Sequence, residues 1–578
     1  MKLLEALDIV KGMNGREGRA LPAYLATGFT SLHLKTFLTA ELSKLLPDRT
    51  IEVSEGLFGD LLGNLRRFSK SEFEFGAVFL EWCDLDSRLG IRSAARWNSS
   101  DLDDILATTQ RRAQELQQQL NENSLKSPIA LSLPTLPLVP FSYTPGWQAS
   151  SFDLELHGIV RSMTSAVSHN TRIRVLNSQR IDIESPLKER FDVEGETLTG
   201  FPYRLPHASS LAFSVARLLQ APLPKKGLIT DLDETLWKGT LGEDGVDGIR
   251  WDLEHKSQMH AFYQRFLGSL ASAGVMVGVA SKNDPALVNE AMNREDLAIS
   301  QSSFYPIEAH WEPKSHSVTR IMEAWNVSDD SIVFVDDSPF ELAEVKAAHP
   351  DVHCLQFPTG DPVGVYNLVQ KLRDIFGKGT IFPEDAVRVE SIRRRNLHRS
   401  MRSMSAPQDF IEDGDAELTC NFEKFPPDLR ALELVNKTNQ FNLNGRRYTE
   451  SSWLKLVGES SAFLMIASYR DKFGPLGKIA VLGGSLQSGK LNISVWAMSC
   501  RAFSRRIEYK CLYELVKHFG AKQIAFDFQT TQRNGPIRDF LCGILGTAPS
   551  TECTVTREIL QQRLESFLRL PEPVNERR

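Results

Sequence analysis

The sequence predicts an α/β protein of three domains, and three observations lead there. Through the first 220 residues, short apolar runs alternate with helix-length amphipathic stretches, the pattern of βα units feeding a parallel sheet. Between residues 221 and 378, three further buried-strand runs each end in a carboxylate or a hydroxyl. Residues 379–578 then bring strand-length runs in quick succession. At 578 residues the chain exceeds one ordinary domain, and three is the natural division.

In the first block, residues 22–26 read as a strand and 31–46 as a helix. Residues 50–53 alternate as a strand does, ahead of a helical 60–67. A buried-strand run at 76–80 precedes a long polar helix at 101–123, whose Gln-rich stretch 110–123 reads as a solvated face. Strands at 129–131 and 173–176 and helices near 152–168 and 209–219 complete the block.

The Pro-containing connector 221–226 marks a boundary. Beyond it stands Gly227-Leu-Ile-Thr-Asp-Leu-Asp-Glu-Thr-Leu-Trp237. Ligands of open α/β sheets bind beyond the carboxyl ends of the strands, and alternate residues of an extended segment share a face. Asp231 and Asp233 therefore lean into one crevice. Two close carboxylates repel unless a cation lies between them or one holds a proton. Mg²⁺ takes such oxygens together with phosphate, and a carboxylate can itself attack phosphorus.

An Asp-x-Asp pair alone says little, because turns and caps are rich in aspartate. Three later pieces change its weight. Val277-Gly-Val-Ala-Ser281-Lys282-Asn283 is an apolar run ending in a hydroxyl, ahead of an Asp284-Pro-Ala helix start. Lys314, in Trp311-Glu-Pro-Lys-Ser315, offers a cation to a phosphate. Ser331-Ile-Val-Phe-Val-Asp336-Asp337-Ser-Pro339 ends in paired carboxylates. Together they point to a Mg²⁺-assisted phosphoryl site. Neither the Asp231–Ser281 gap nor the Ser281–Lys314 gap has room for a cap domain. Residues 237–251 read equally as a small flap or a surface hairpin.

In the last block, the basic run 387–402 reads as a solvated linking helix or as a surface for an acidic carrier protein. Strands are expected at 417–422, 462–467, 477–482 and 491–496. In Ser499-Cys-Arg-Ala-Phe-Ser-Arg-Arg-Ile-Glu508, three arginines at a helix start suit an anionic group. Cys500, beside Arg501 and that helix start, expects a lowered pKa and reads either as an acyl-carrying thiol or as a small buried strand residue. The tail 571–578 predicts disorder.

Composition excludes several classes. With 42% hydrophobic and 24% charged residues the chain is globular, and a net charge of −6 gives no reason to invoke nucleic acid. The N-terminal Met-Lys-Leu-Leu-Glu meets acid too early for a signal peptide, and no apolar run reaches membrane-span length. Seven scattered cysteines without a CxxC pair read as reduced thiols of a cytoplasmic protein with no zinc site.

The motifs around Asp231, Ser281, Lys314 and Asp336-Asp337 resemble those of the haloacid dehalogenase (HAD) superfamily. Asp231–Gly245, Ser281–Asp284, Trp311–Ser315, Val335–Pro339 and Asn436–Tyr448 resemble the FkbH-like family, whose phosphatase core belongs to HAD subfamily IIIC. The resemblance implies an SGNH/flavodoxin-like first domain (1–220), a capless Rossmann-like HAD domain (221–378) and a GNAT-like acyltransferase domain (379–578).

It implies Asp231 as nucleophile and Asp233 as acid/base, with Thr235, Ser281, Lys282, Asn283 and Lys314 around the phosphoryl group. Mg²⁺ would be held by Asp231, the Asp233 carbonyl and one of Asp336 and Asp337, with Asp337 favoured. Glu234, where relatives carry Asn or Asp, would face away from the metal. Asn436, Asn439, Asn442, Cys500 and Arg501 would serve the acyl site. Ser504 and Arg506 replace the glycines of the acetyltransferase pyrophosphate turn, which argues against ordinary acyl-CoA.

The SGNH-like block lacks Gly-Asp-Ser after its first strand, having Thr27-Gly-Phe-Thr30, and carries Arg204 where the aspartate preceding His207 belongs. It reads as a docking domain in which His207 starts the last helix. The family's activity would be transfer of a phosphoglyceryl unit from 1,3-bisphosphoglycerate to an acyl carrier protein thiol, with dephosphorylation, for polyketide-type biosynthesis. A phosphatase for another phospho-metabolite or phosphoprotein, its C-terminal domain a binding module, is the alternative. A scaffold with a dead core is a third reading, against which the complete motif set argues.

Overall fold

The computed structural model describes residues 1–13, 19–96, 98–140, 143–386, 388, 390, 392–393, 416–471, 474–499, 502, 506–550 and 553–568. They fall into two compact units: residues 1–222 with 448–455, and residues 223–447 with 456–578. The second unit contains two of the three sheets.

The sheet of the first unit has β1 (Arg19–Thr27), β2 (Arg49–Glu55), β3 (Phe75–Phe79), β4 (Ile129–Ser132) and β5 (Ile173–Val175). All pair in parallel, in the order β2-β1-β3-β4-β5. Along β1, Leu21, Ala23 and Leu25 enter one apolar cluster while Tyr24 and Ala26 enter another. The strand is thus apolar on both sides because helices cover both faces.

The second sheet has β6 (Gly227–Thr230), β7 (Met276–Ser281), β8 (Phe304–Ala309), β9 (Ile332–Asp336) and β10 (His353–Gln356). Its order is β10-β9-β6-β7-β8, again all parallel. Leu228, Val277, Val279, Val333 and Val335 face one cluster, and Ile229, Met276, Ala280, Ile332 and Phe334 the other. The period of two explains why these runs read as continuously apolar. On the second face, the buried Trp325 packs so closely that a Cβ on Gly227 would stand 2.4 Å from its ring.

The third sheet has β11 (Glu417–Asn421), β12 (Ala462–Asp471), β13 (Gly474–Gln487), β14 (Lys490–Met498), β15 (Gln523–Phe526) and β16 (Cys553–Thr556). Pairing is antiparallel except between β14 and β15. Those two strands pair only from Lys490↔Gln523 to Ile493↔Phe526. Beyond that point residues 441–443 enter the gap. Leu443 N donates to Trp496 O at 2.9 Å, Met498 N to Phe441 O at 3.0 Å, and Gln529 N to Leu443 O at 3.2 Å. The whole is a mixed α/β protein with parallel sheets. No helix among the described residues is long and apolar enough to cross a membrane.

Candidate functional site: a carboxylate crevice at the end of the second sheet

Strands β6, β7 and β9 deliver Asp231, Ser281 and Asp336 to the same carboxyl edge. There the first residue of the helix Lys314–Trp325 meets them. Lys314 Nζ lies 2.9 Å from Asp231 Oδ1 and 2.6 Å from Asp336 Oδ2, and it also pairs with Glu341. Asp231, Asp336 and Lys314 are all buried.

Burial pushes the Asp231 carboxyl up to about 7 although Lys314 opposes the shift, with Asp336 adding to it. Asp336 rises to about 6, again by burial opposed by Lys314. Burial alone would lower the Lys314 ammonium, but Asp231, Asp336 and Glu341 together hold it well above its ordinary range. Lys314 is therefore a fixed cation among acids that repel one another.

Asp233 leans to the other side of the crevice. Its Oδ2 accepts from Asn283 Nδ2 at 2.9 Å, and its Oδ1 accepts from Trp237 Nε1 at 2.9 Å and Leu241 N at 3.1 Å. Asn283 Nδ2 also reaches Ser281 Oγ at 3.0 Å, so one amide spans the two carriers of chemistry. The next helix starts where Asp284 caps Ala286 N at 2.8 Å. Glu234 adopts a left-handed conformation (φ 51°), and its Oε1 accepts from Gly239 N at 2.8 Å.

Of Asp336 and Asp337, of which the sequence favoured Asp337 as the direct Mg²⁺ ligand, Asp336 is the one that meets Lys314 beside Asp231. Asp336 is the last residue of β9, and its carboxylate joins those of Asp231 and Glu341 within 4.8 Å. Asp337, one residue on, turns to Thr235, whose Oγ1 donates to its Oδ1 at 3.4 Å. The strand ends at Asp336, and the chain turns away before Asp337.

Glu341 was missed by sequence reasoning. It stands in the first turn of the helix Pro339–Ala348 and binds both Lys314 and Lys282, the latter at 3.0 Å. Its signal in the sequence was its place five residues after Asp336, near enough for one helical turn to return it to the site.

No inserted domain separates these elements. Between Asp231 and Ser281 lie only the one-turn helix Leu241–Asp244 and the helix Gln258–Ser272. The 237–251 excursion is closed by a Lys238↔Arg250 bridge and anchored by buried Trp237 and Trp251.

Of the residues read for an acyl site, Asn439 and Asn442 are among those described. Asn439 accepts from Arg447 and lines a cavity. Asn442 is 3% exposed, and its amide is spent on backbone. It donates to Thr438 O at 3.2 Å and Val435 O at 3.3 Å and accepts from Gly445 N at 2.8 Å. Its geometry gives it the task of shaping this turn in place of lining a substrate. Cys500, Arg501 and Ser504 lie outside the described residues, as do most of 387–402 and the tail.

In the first unit, His207 lies in the first turn of the helix Leu205–Leu219 and has no exposed surface. Its Nε2 and Nδ1 meet the hydroxyls of Thr135 and Ser185, each at 2.9 Å. No carboxylate orients it; burial, seconded by Arg190, lowers its pKa to about 3. Thr135 Oγ1 in turn donates to Glu81 Oε1 at 2.7 Å, which Tyr203 also meets at 2.8 Å. The loop after β1 is closed too, since a Cβ on Gly28 would fall 1.6 Å from Asp84 Oδ1.

No family model and no curated protein sequence matches the chain. Among solved structures, the chain is similar to the N-terminal part of the protein BF1531 from Bacteroides fragilis, which contains a phosphatase domain and was solved in complex with Mg. The match has 19% identity and a TM-score of 0.51, covering 66% of this chain and 100% of that one. At that identity it shows a shared fold. A fungal multidomain β-N-acetylglucosaminidase with a GCN5-related glucosamine N-acetyltransferase region aligns at 10% identity over 92% of this chain and 64% of that one. Its TM-score of 0.15 carries no argument.

Proposed function

We propose that the second sheet carries a Mg²⁺-dependent phosphatase of the HAD type, with Asp231 as nucleophile. The observation that carries this reading is the set of buried acids gathered around Lys314 at the carboxyl edge. Three carboxylates, Asp231, Asp336 and Glu341, meet Lys314 there, and Glu341 also pairs with Lys282. Such a surplus of oxygen donors suits a hard divalent ion. Asp231, Asp336 and the backbone carbonyl of Asp233 would hold Mg²⁺, with Asp337 in support. Bound there, the ion supplies charge neutralisation for the phosphoryl oxygens. A Mg-complexed phosphatase domain in the similar structure supports the same choice.

Asp231 would attack phosphorus and take the phosphoryl group as an acyl phosphate while the ester oxygen leaves. Asp233, held by Asn283, would protonate that oxygen and then accept a proton from the water that frees phosphate. Ser281, Thr235, Asn283 and Lys314 would stabilise the transferring group, with Lys282 at the rim.

The likeness of several stretches to the FkbH-like family supports a finer reading. The substrate would be a phosphoglyceryl unit passed from an acyl phosphate to a carrier-protein thiol, with Cys500 as the acyl-carrying thiol and Asn439 and Arg501 near it. The lack of an inserted domain between Asp231 and Ser281 supports a substrate presented on a protein. It equally admits the alternative, a phosphatase for another phosphoester with the third sheet as a binding module. Intact mass after incubation with 1,3-bisphosphoglycerate and Mg²⁺ separates them. An acyl adduct lost in Cys500→Ser is expected, with phosphate release lost in Asp231→Asn. Phosphate release from simple esters with no adduct would leave the phosphatase alone.

A further inference from the structure

Lys226 directly precedes β6 and Asp231 directly follows it. At about 3.3 Å per residue, the two ends of that stretch lie about 16 Å apart. At the amino end, between the second and third sheets of the same unit, is a cavity of about 300 Å³. It shares no residue with the Asp231 crevice.

Five cations line it: Lys226, Arg388, Arg430, Lys437 and Arg533, against one carboxylate, Asp329. The acids behind them are oversubscribed. Glu433 is shared by Arg430 and Lys437. Asp385 is shared by Lys378 at 3.0 Å and Arg388 at 3.1 Å. Asp330 takes Arg533 at 2.6 Å. The wall therefore holds surplus positive charge.

A second observation is independent of that charge. The Arg430 side chain is 3% exposed, and its buried Nε has no hydrogen-bond partner. A buried donor left unmet is unfavourable, and this one belongs to a residue of the cavity wall. Trp325, Leu434, Phe441 and Met498 give that wall an apolar part, beside polar residues such as Asn439 and Gln440. A concave space with an apolar part and a few convergent charges is the usual form of a small-molecule site.

We infer that this cavity binds a small organic phosphate, its phosphoryl group among the arginines and lysines and its carbon skeleton against the apolar wall. The inference does not depend on turnover at Asp231.

The test is calorimetry on the full chain carrying Asp231→Asn, in EDTA, with glycerol 3-phosphate, glycerol and inorganic phosphate as probes. Glycerol 3-phosphate is expected to bind one per chain, and glycerol at least tenfold more weakly. Lys437→Gln should weaken binding at least tenfold, as should Arg533→Gln, whose half-exposed side chain makes unfolding a lesser concern. Ser281→Ala, in the other site, should leave binding unchanged. Absence of binding by every probe would overturn the inference. So would binding indifferent to both Arg533→Gln and Lys437→Gln, or binding lost in Ser281→Ala. Loss of phosphate release in Asp231→Asn bears on the phosphatase alone and leaves this result untouched.

Discussion

Lys314 Nζ lies 2.6 Å from Asp336 Oδ2, and Asp336 has no exposed surface. Removing one partner of a buried pair leaves an uncompensated charge, at a cost of about 3–5 kcal/mol. Lys314→Met is therefore expected to lower the thermal midpoint sharply. Mg²⁺ should restore more stability to the variant than to wild type, since it replaces the missing positive charge. Calorimetry with and without Mg²⁺ checks this; equal shifts in both proteins would count against a metal among these acids.

Asp231→Asn should reduce phosphate release by about a thousandfold or more, since it removes the attacking group. Chelation of Mg²⁺ should do the same to wild type, reversibly. Phosphate release that persists in EDTA would remove the metal from the reading.

Asn283 Nδ2 holds Asp233 Oδ2 at 2.9 Å and Ser281 Oγ at 3.0 Å. Asn283→Ala frees both, and general acid–base help is typically about 10²–10⁴-fold. Part of that is expected to disappear, about 10–100-fold in kcat, with KM moving less. A change in KM alone would make Asn283 a binding group only.

The first unit contains two groups with opposite pH behaviour. His207 protonates near 6.5 when unfolded but only at about 3 when folded. The unfolded chain takes the extra proton between those values, so stability falls as pH drops from about 6.5 towards 3. Burial raises Glu81 from 4.5 to about 7, against hydrogen bonds from Thr135, Tyr203 and Leu136. The folded state then keeps a proton that the unfolded chain has released, so stability is lost as pH rises from about 4.5 through 7. Hydrogen exchange of peptides spanning 75–85, followed in urea from pH 4 to 8, should show the alkaline loss reduced in Glu81→Gln, since Asp84, also raised to about 7 by burial, shares it, and the acid loss flattened in His207→Gln.

Gly227→Ala would set a Cβ 2.4 Å from the buried Trp325 ring. Overpacking of this kind costs about 1–3 kcal/mol. A lowered thermal midpoint with unchanged Mg²⁺ affinity is the expected result, since the glycine lies at the far end of β6 from Asp231.

The second sheet was legible because its strands are buried on both faces, which makes them uninterrupted apolar words in the sequence, and because chemistry sits at their ends. Leu228-Ile229 and residues 332–335 show this directly. What the sequence did not reveal depended on direction. Asp336 ends β9 and Asp337 lies just beyond it, so only the point where the strand stops distinguishes them. Glu341 belonged to a helix whose apolar contacts, Leu342 and Val345, do not mark Glu341 as facing the site. Asn442 was read as a site group from the family likeness of residues 436–448, and its side-chain hydrogen bonds to backbone atoms within seven residues are a pattern no residue type announces. The strand-like entry of residues 441–443 between β14 and β15 was equally silent, since its partners come from far along the chain.

That no domain is inserted between Asp231 and Ser281 has a kinetic corollary. An enclosed enzyme sorts molecules by shape, because only what fits can be sealed in. A crevice with no inserted domain over it does not sort by sealing, and its selectivity passes to whatever raises local abundance. A substrate carried on a flexible tether experiences an effective concentration in the millimolar range, far above that of most free metabolites. Such a site can afford weak intrinsic affinity, and its discrimination would then reside in the linker that delivers the cargo.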